Sequence, residues 1–148
     1  MKKAFLFLFF VFLTSNSYAG GLSSNWGEVV IDNLEPGKTY ELNKISGAPF
    51  TITNNFDNQV TLKLEVLKPQ NKELKSGYEP LPDVTWVKLD KQEITIERTK
   101  NAIIDLKVTV PNDPQYRGKK YHFWVWSYTS GQAMGVGLKS RILITIMQ

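Results

Sequence analysis

Along most of this chain the apolar residues recur at every second position, and that period limits what the chain can fold into. In "QVTLKLEV" Val60, Leu62, Leu64 and Val66 alternate with Thr61, Lys63 and Glu65. Successive side chains of a strand point to opposite faces, so this run predicts one buried and one wet face. "IIDLKVTVP" repeats the pattern, with Ile104, Leu106, Val108 and Val110 inward and Asp105, Lys107 and Thr109 outward. Ile94 and Ile96 of "EITIE" read the same way, and "RILITI" at 141–146 is a further β-branched run. No stretch keeps a helical stripe over three turns.

Between these runs lie turn-rich gaps: "EPGK" at 35–38, "NNFDNQ" at 54–59, "PNDPQYRG" at 111–118 and "SGQAMGVG" at 130–137. The spacing predicts seven to eight short strands. No helical segment is available to cross over between parallel strands, which favours an antiparallel β-sandwich. Residues 67–83, "LKPQNKELKSGYEPLPD", hold three prolines and a glycine and read as a long loop, with room for a short edge strand around Leu74. There is no internal repeat.

The first nineteen residues read as a signal peptide. Lys2 and Lys3 precede an apolar run from Ala4 to Leu13, and Ser17-Tyr18-Ala19 suits a signal peptidase. The run is about ten residues, against the roughly twenty that a spanning helix needs, so no membrane span is expected after cleavage. The expected division is a signal peptide at 1–19 and one domain at 20–148, periplasmic or secreted. Without cysteine, the domain has no disulfide and no thiolate metal site. Removing the two signal lysines from 18 basic residues leaves 16 against 14 acidic ones. That balance argues against nucleic acid, which calls for basic residues gathered on one face.

Several stretches of the chain resemble bacterial immunoglobulin-like domains of the NEW3 type, which are related to the pilus-chaperone and major-sperm-protein sandwiches. The resemblance rests on Trp86 before Lys88-Leu89, the short strand at 94–96, "VTVP" at 108–111, and Gly118 followed by a strand led by Tyr121. "FTITNNFDNQVTLKLEVLKP" is similar to the first hairpin of such domains. The resemblance implies an all-β, immunoglobulin-like antiparallel sandwich with Trp86 buried. It also implies that the Tyr121 hydroxyl bonds back to the 111–118 loop, as at the tyrosine corner of such sandwiches.

The densest chemical signal is "KKYHFWVWSY" at 119–128. A period of two puts Tyr121, Phe123, Val125 and Ser127 on one side, and His122, Trp124, Trp126 and Tyr128 on the other. The second set is the candidate ligand-binding platform, its rings about 7 Å apart along the strand. Three placements are open: outward and exposed, outward but covered by cross-strand neighbours from 136–146, or inward as part of the core.

No catalytic constellation is legible. His122 is the only histidine, no serine sits in a G-x-S-x-G elbow, and acids such as Glu65, Glu97 and Asp105 fall on outward positions or in turns. A single histidine cannot supply the usual metal-ligand set, and no cofactor is expected. The glycines at 131–137 lead into a strand rather than a helix N-terminus, so they read as a hairpin tip with Met134 at its middle and not as a phosphate loop. The functional expectation is a non-enzymatic exported module that binds another envelope or surface protein through a sheet face or an edge strand. The alternative is a carbohydrate-binding module that stacks a glycan on the aromatic row. A pilus-type chaperone would need a second sandwich domain, for which the chain is too short.

Overall fold

The computed structural model describes residues 21–131 and 135–148; the expected signal peptide and Met134 lie outside them. The strands are β1 (Leu22–Ser24), β2 (Glu28–Leu34), β3 (Thr39–Glu41), β4 (Thr51–Asn54), β5 (Val60–Leu67) and β6 (Glu79–Pro80). They continue with β7 (Val87–Leu89), β8 (Glu93–Ile96), β9 (Asn101–Ile103), β10 (Leu106–Thr109), β11 (Lys120–Thr129) and β12 (Gly137–Ile146). One large sheet has the order β2-β12-β11-β5-β8, with β6 running beside β11. Two three-stranded sheets, β1-β4-β9 and β3-β10-β7, complete the structure. This is a β-sandwich, as the alternation predicts, and of the immunoglobulin-like kind that the resemblance implies.

Among the described residues twelve strand segments stand where seven to eight were expected. The extra ones have two or three residues, too few to display a period. Two pairings are parallel, β2 with β12 and β6 with β11. The first arises because the chain changes sheets between β1 and β2, and Trp26 is buried at that crossing, stacked on Phe50 with ring centroids 5.1 Å apart.

One apolar core joins all three sheets. Leu62, Leu64, Phe123, Val125 and Ile142 of the large sheet pack with Ile52, Leu106 and Val108 of the small ones. Every residue assigned inward in the runs that form β5, β8 and β10 is buried, except Val66, which is half-buried where β5 runs out. Buried Asn54 closes the 54–59 turn. Its Nδ2 donates to the carbonyls of Asn58 and Ile96, and its Oδ1 accepts from the Phe56 N–H at 2.9 Å. A buried amide is tolerated only when its donors and acceptor are matched in this way.

The edge strand expected around Leu74 is absent. Asn71–Glu73 form a short 3-10 helix instead, fixed by a capping box between Gln70 and Glu73. That local hydrogen bonding competes with extended structure. β6 follows five residues after Leu74.

Trp86 is buried in a 3-10 turn spanning Val84–Trp86, which Asp83 caps by accepting from the Thr85 N–H at 2.8 Å. The tyrosine corner expected at Tyr121 does not form. Among the described residues its hydroxyl makes no hydrogen bond to the 111–118 loop. Tyr116 of that loop fills the space with its own ring, and Trp86, Tyr116 and Tyr121 meet edge-on at centroid distances of 4.8 to 6.4 Å. Burial of the Tyr121 hydroxyl, with Glu79 nearby, pushes its pKa up to about 12. The hydroxyl that does return to the backbone belongs to Tyr40, accepting from the Glu35 N–H at 2.9 Å.

Candidate functional site

The long hairpin β11–β12 positions the aromatic row. Its register runs from Lys120↔Thr145 to Tyr128↔Gly137, and near the turn the Thr129 N–H donates to the Val136 carbonyl at 2.8 Å. The glycine-rich segment is therefore a hairpin connection, as read from the sequence. Tyr121, Phe123, Val125 and Ser127 face the core, which places His122, Trp124, Trp126 and Tyr128 on the outer face of the large sheet.

That outer face is covered at one end and open at the other. His122 is wholly buried and Trp124 is 9% exposed, whereas Trp126 and Tyr128 are half-buried. Part of the cover comes from the partner strand. Arg141, opposite Trp124, lies 4.8 Å from its ring centroid, and Lys139 lies 5.6 Å from Trp124 and 6.0 Å from Trp126. The remainder comes from the 68–83 segment, which crosses this face as a strap. At the crossing the Lys75 N–H donates to His122 Nδ1 at 3.3 Å; farther on the segment enters the sheet plane as β6 beside β11, where the Leu81 N–H donates to the His122 carbonyl at 3.0 Å.

Ion pairs fasten the strap at three points. Lys75 and Arg141 both reach Glu28, at 3.0 Å each. Lys139 meets Glu73 at 2.7 Å, and Lys119 meets Glu79 at 2.9 Å. Hydrogen bonds from Arg141 and then Lys75 hold the Glu28 carboxyl below its ordinary range, and Lys139 does the same for Glu73. These groups are solvent-facing, so each pair contributes little stability and more geometry.

His122 is not arranged for catalysis. Among the described residues its only side-chain partner is the Lys75 N–H, so the proton of the neutral ring sits on Nε2. Burial first, and the neighbouring Arg141 second, depress its pKa to about 4. Its Nε2, the Trp124 Nε1 and the Arg141 Nε are buried without a hydrogen-bond partner among the described residues. The rings of His122 and Trp124 stand edge-on at 4.8 Å. No group of three or more histidines, aspartates and glutamates among the described residues could hold a metal ion.

At the open end Trp126 and Tyr128 are stacked, with centroids 5.8 Å apart and planes 23° from parallel. The Tyr128 hydroxyl donates to Glu65 Oε1 at 2.6 Å, which raises the hydroxyl's pKa. Lys63 lies across from Tyr128 in the β5–β11 pair, and Lys139 flanks Trp126. The indole lies directly over Gly137, where a Cβ would come within 2.2 Å of a ring carbon. Only glycine leaves room for it. Gly137→Ala is therefore expected to push the indole off the sheet, changing its fluorescence and near-ultraviolet dichroism. Unaltered spectra would show that the ring rests elsewhere.

The sequence marks the row and the two alternating sets of β11 but leaves open which set faces the core, and it does not reveal the strap or its anchors Glu28, Glu73, Lys75 and Arg141. The charges in 67–83 were visible; nothing local said which surface they would meet.

In fold the chain is similar to PapD-like immunoglobulin-like sandwiches among the solved structures. No family model and no curated protein matches the chain. The periplasmic chaperone SfaE superposes with a TM-score of 0.57 at 10% identity, over 86% of this chain and 59% of that one. A PapD-like domain of human CEP192 gives 0.61 at 12% identity, over 100% and 97%. A Bacteroides ovatus protein with a proposed role in carbohydrate binding gives 0.63 at 15%, over 86% and 37%. The chain thus spans about six-tenths of the chaperone and a little over a third of the Bacteroides protein.

Proposed function

We propose that this chain is a non-enzymatic immunoglobulin-like module, exported to the periplasm or beyond, that binds another envelope or surface protein through the outer face of its large sheet. The observation that carries this reading is the stacked Trp126–Tyr128 pair, half-buried and rimmed by Lys63, Glu65 and Lys139. Protein interfaces concentrate their binding energy in such aromatic anchors with a charged rim. His122 and Trp124 support the pair from beneath the strap. Export is supported by the character of residues 1–19 and by the likeness to a periplasmic chaperone.

A glycan is the second reading, favoured by the same ring pair and by the likeness to the Bacteroides protein. Two rings instead of four shorten the platform to one or two sugar units, which favours the protein.

Trp126→Ala separates the readings. The half-buried ring should cost only about 1–2 kcal/mol of stability, while cross-linking to envelope proteins should fall at least tenfold. Retention of the wild type on polysaccharide, lost in the variant, would replace the protein reading by the glycan one. Unchanged behaviour in both assays would remove this face from function.

A further inference from the structure

A second surface lies where the large sheet and the β3-β10-β7 sheet part. β8 pairs with β5 only from Val60 to Lys63, and the last hydrogen bond on that side runs from the Leu64 N–H to the Gln92 carbonyl at 2.8 Å. By the period of two, the N–H and C=O of Val66 point the same way, beyond the end of any paired strand. β7 is the outermost strand of its sheet. Because the Asp90 N–H turns toward Asp105 beside β10, the main-chain groups of Leu89 turn outward. The two unpaired edges border one open groove of about 870 Å³, with Leu64, Val66, Val84, Val87 and Leu89 as its apolar lining.

Unpaired strand edges are templates for another strand. The groove's charges narrow the choice. At its closed end Lys63 and Glu93 face each other across the β5–β8 pair, and the Glu65 carboxylate accepts from Tyr128. On the β7 wall the one charge lining the groove is Lys88. It stands opposite Lys107 and makes no ion pair among the described residues. We infer that the groove receives an extended segment of the partner protein. This segment pairs with β5 as an added strand, directs alternate apolar side chains onto Val66 and Leu89, and presents an acidic side chain to Lys88. The inference rests on the protein-binding reading above. Lys63 and Glu65 belong both to the groove and to the rim of the ring pair, so one partner can reach the two surfaces.

The probe is an acetylated, amidated peptide of sequence Val-Glu-Val-Glu-Val-Glu-Val, added to the isotope-labelled mature protein. The expected result is movement of the Val66 and Leu89 amide resonances and at least tenfold slower hydrogen exchange at both. The same peptide N-methylated at alternate residues should not bind. Lys88→Glu, an exposed change that leaves the core intact, should weaken binding about tenfold and restore it for the lysine-substituted peptide. Trp126→Ala should leave peptide binding unchanged, so failure of the face reading and failure of the groove are told apart. No binding at millimolar peptide, binding insensitive to N-methylation, or resonance changes confined to β2 or to Trp126 and Tyr128 would each overturn the inference.

Discussion

Trp86→Ala is expected to cost about 3–5 kcal/mol, the range for truncating a large aromatic in a packed core. Trp86 is 6% exposed and stands edge-on to both Tyr116 and Tyr121. Removing it therefore loses apolar burial, leaves a cavity, and unseats two rings whose edge-to-face contacts depend on it. The cavity cannot close easily, because Tyr121 is fixed in the longest hairpin and Tyr116 in a proline-initiated 3-10 turn. Equilibrium unfolding in urea would measure the loss. A cost under about 1 kcal/mol would show that the trio does not form a packed unit.

The second large effect is a loss of stability in acid that passes through His122. Its pKa falls from the ordinary 6.5 to about 4 in the folded protein, because burial disfavours the charged ring. The unfolded chain therefore binds a proton in a window where the native state does not, and stability falls as pH falls. The contribution is fully present above pH 6.5, is lost progressively, and is gone below pH 4. The difference corresponds to about 3 kcal/mol at 1.36 kcal/mol per pKa unit. A protonated Nδ1 also cannot accept from the Lys75 N–H, so the strap should lift with the same titration and Trp124 should become accessible to a fluorescence quencher. His122→Phe removes the titration while filling the site. Parallel stability curves for the two proteins between pH 6.5 and 4 would show that His122 is not held neutral by the fold.

The aromatic row shows how much of the site was legible. The alternation in "KKYHFWVWSY" assigns the two faces of β11, and the structure agrees at every position. Of the three placements open from the sequence, the structure selects outward, with cover over His122 and Trp124 and partial exposure of Trp126 and Tyr128. The cover expected from 136–146 is there in Lys139 and Arg141. Over His122 there is also Lys75 of the 68–83 segment, which the sequence marks only as a proline-bearing loop.

Tyr121 illustrates the converse. Its burial follows from the pattern, but the partner of its hydroxyl does not. A resemblance transfers a position more reliably than a contact, and here the ring of Tyr116 displaces the expected hydrogen bond.

By itself, the sequence determined that this is a β-sandwich and which residues of β5, β8 and β10 face the core. Those properties are local: a pleated strand sends each side chain to a face fixed by its neighbours two residues away. Only the tertiary structure decided that the chain changes sheets after β1, that the 68–83 strap reaches His122, and that β5 and β7 part to leave a groove. Each of these depends on contacts between residues far apart in the chain, such as Lys75 with His122. Their partners are chosen by packing and charge across the whole fold, which no local period encodes.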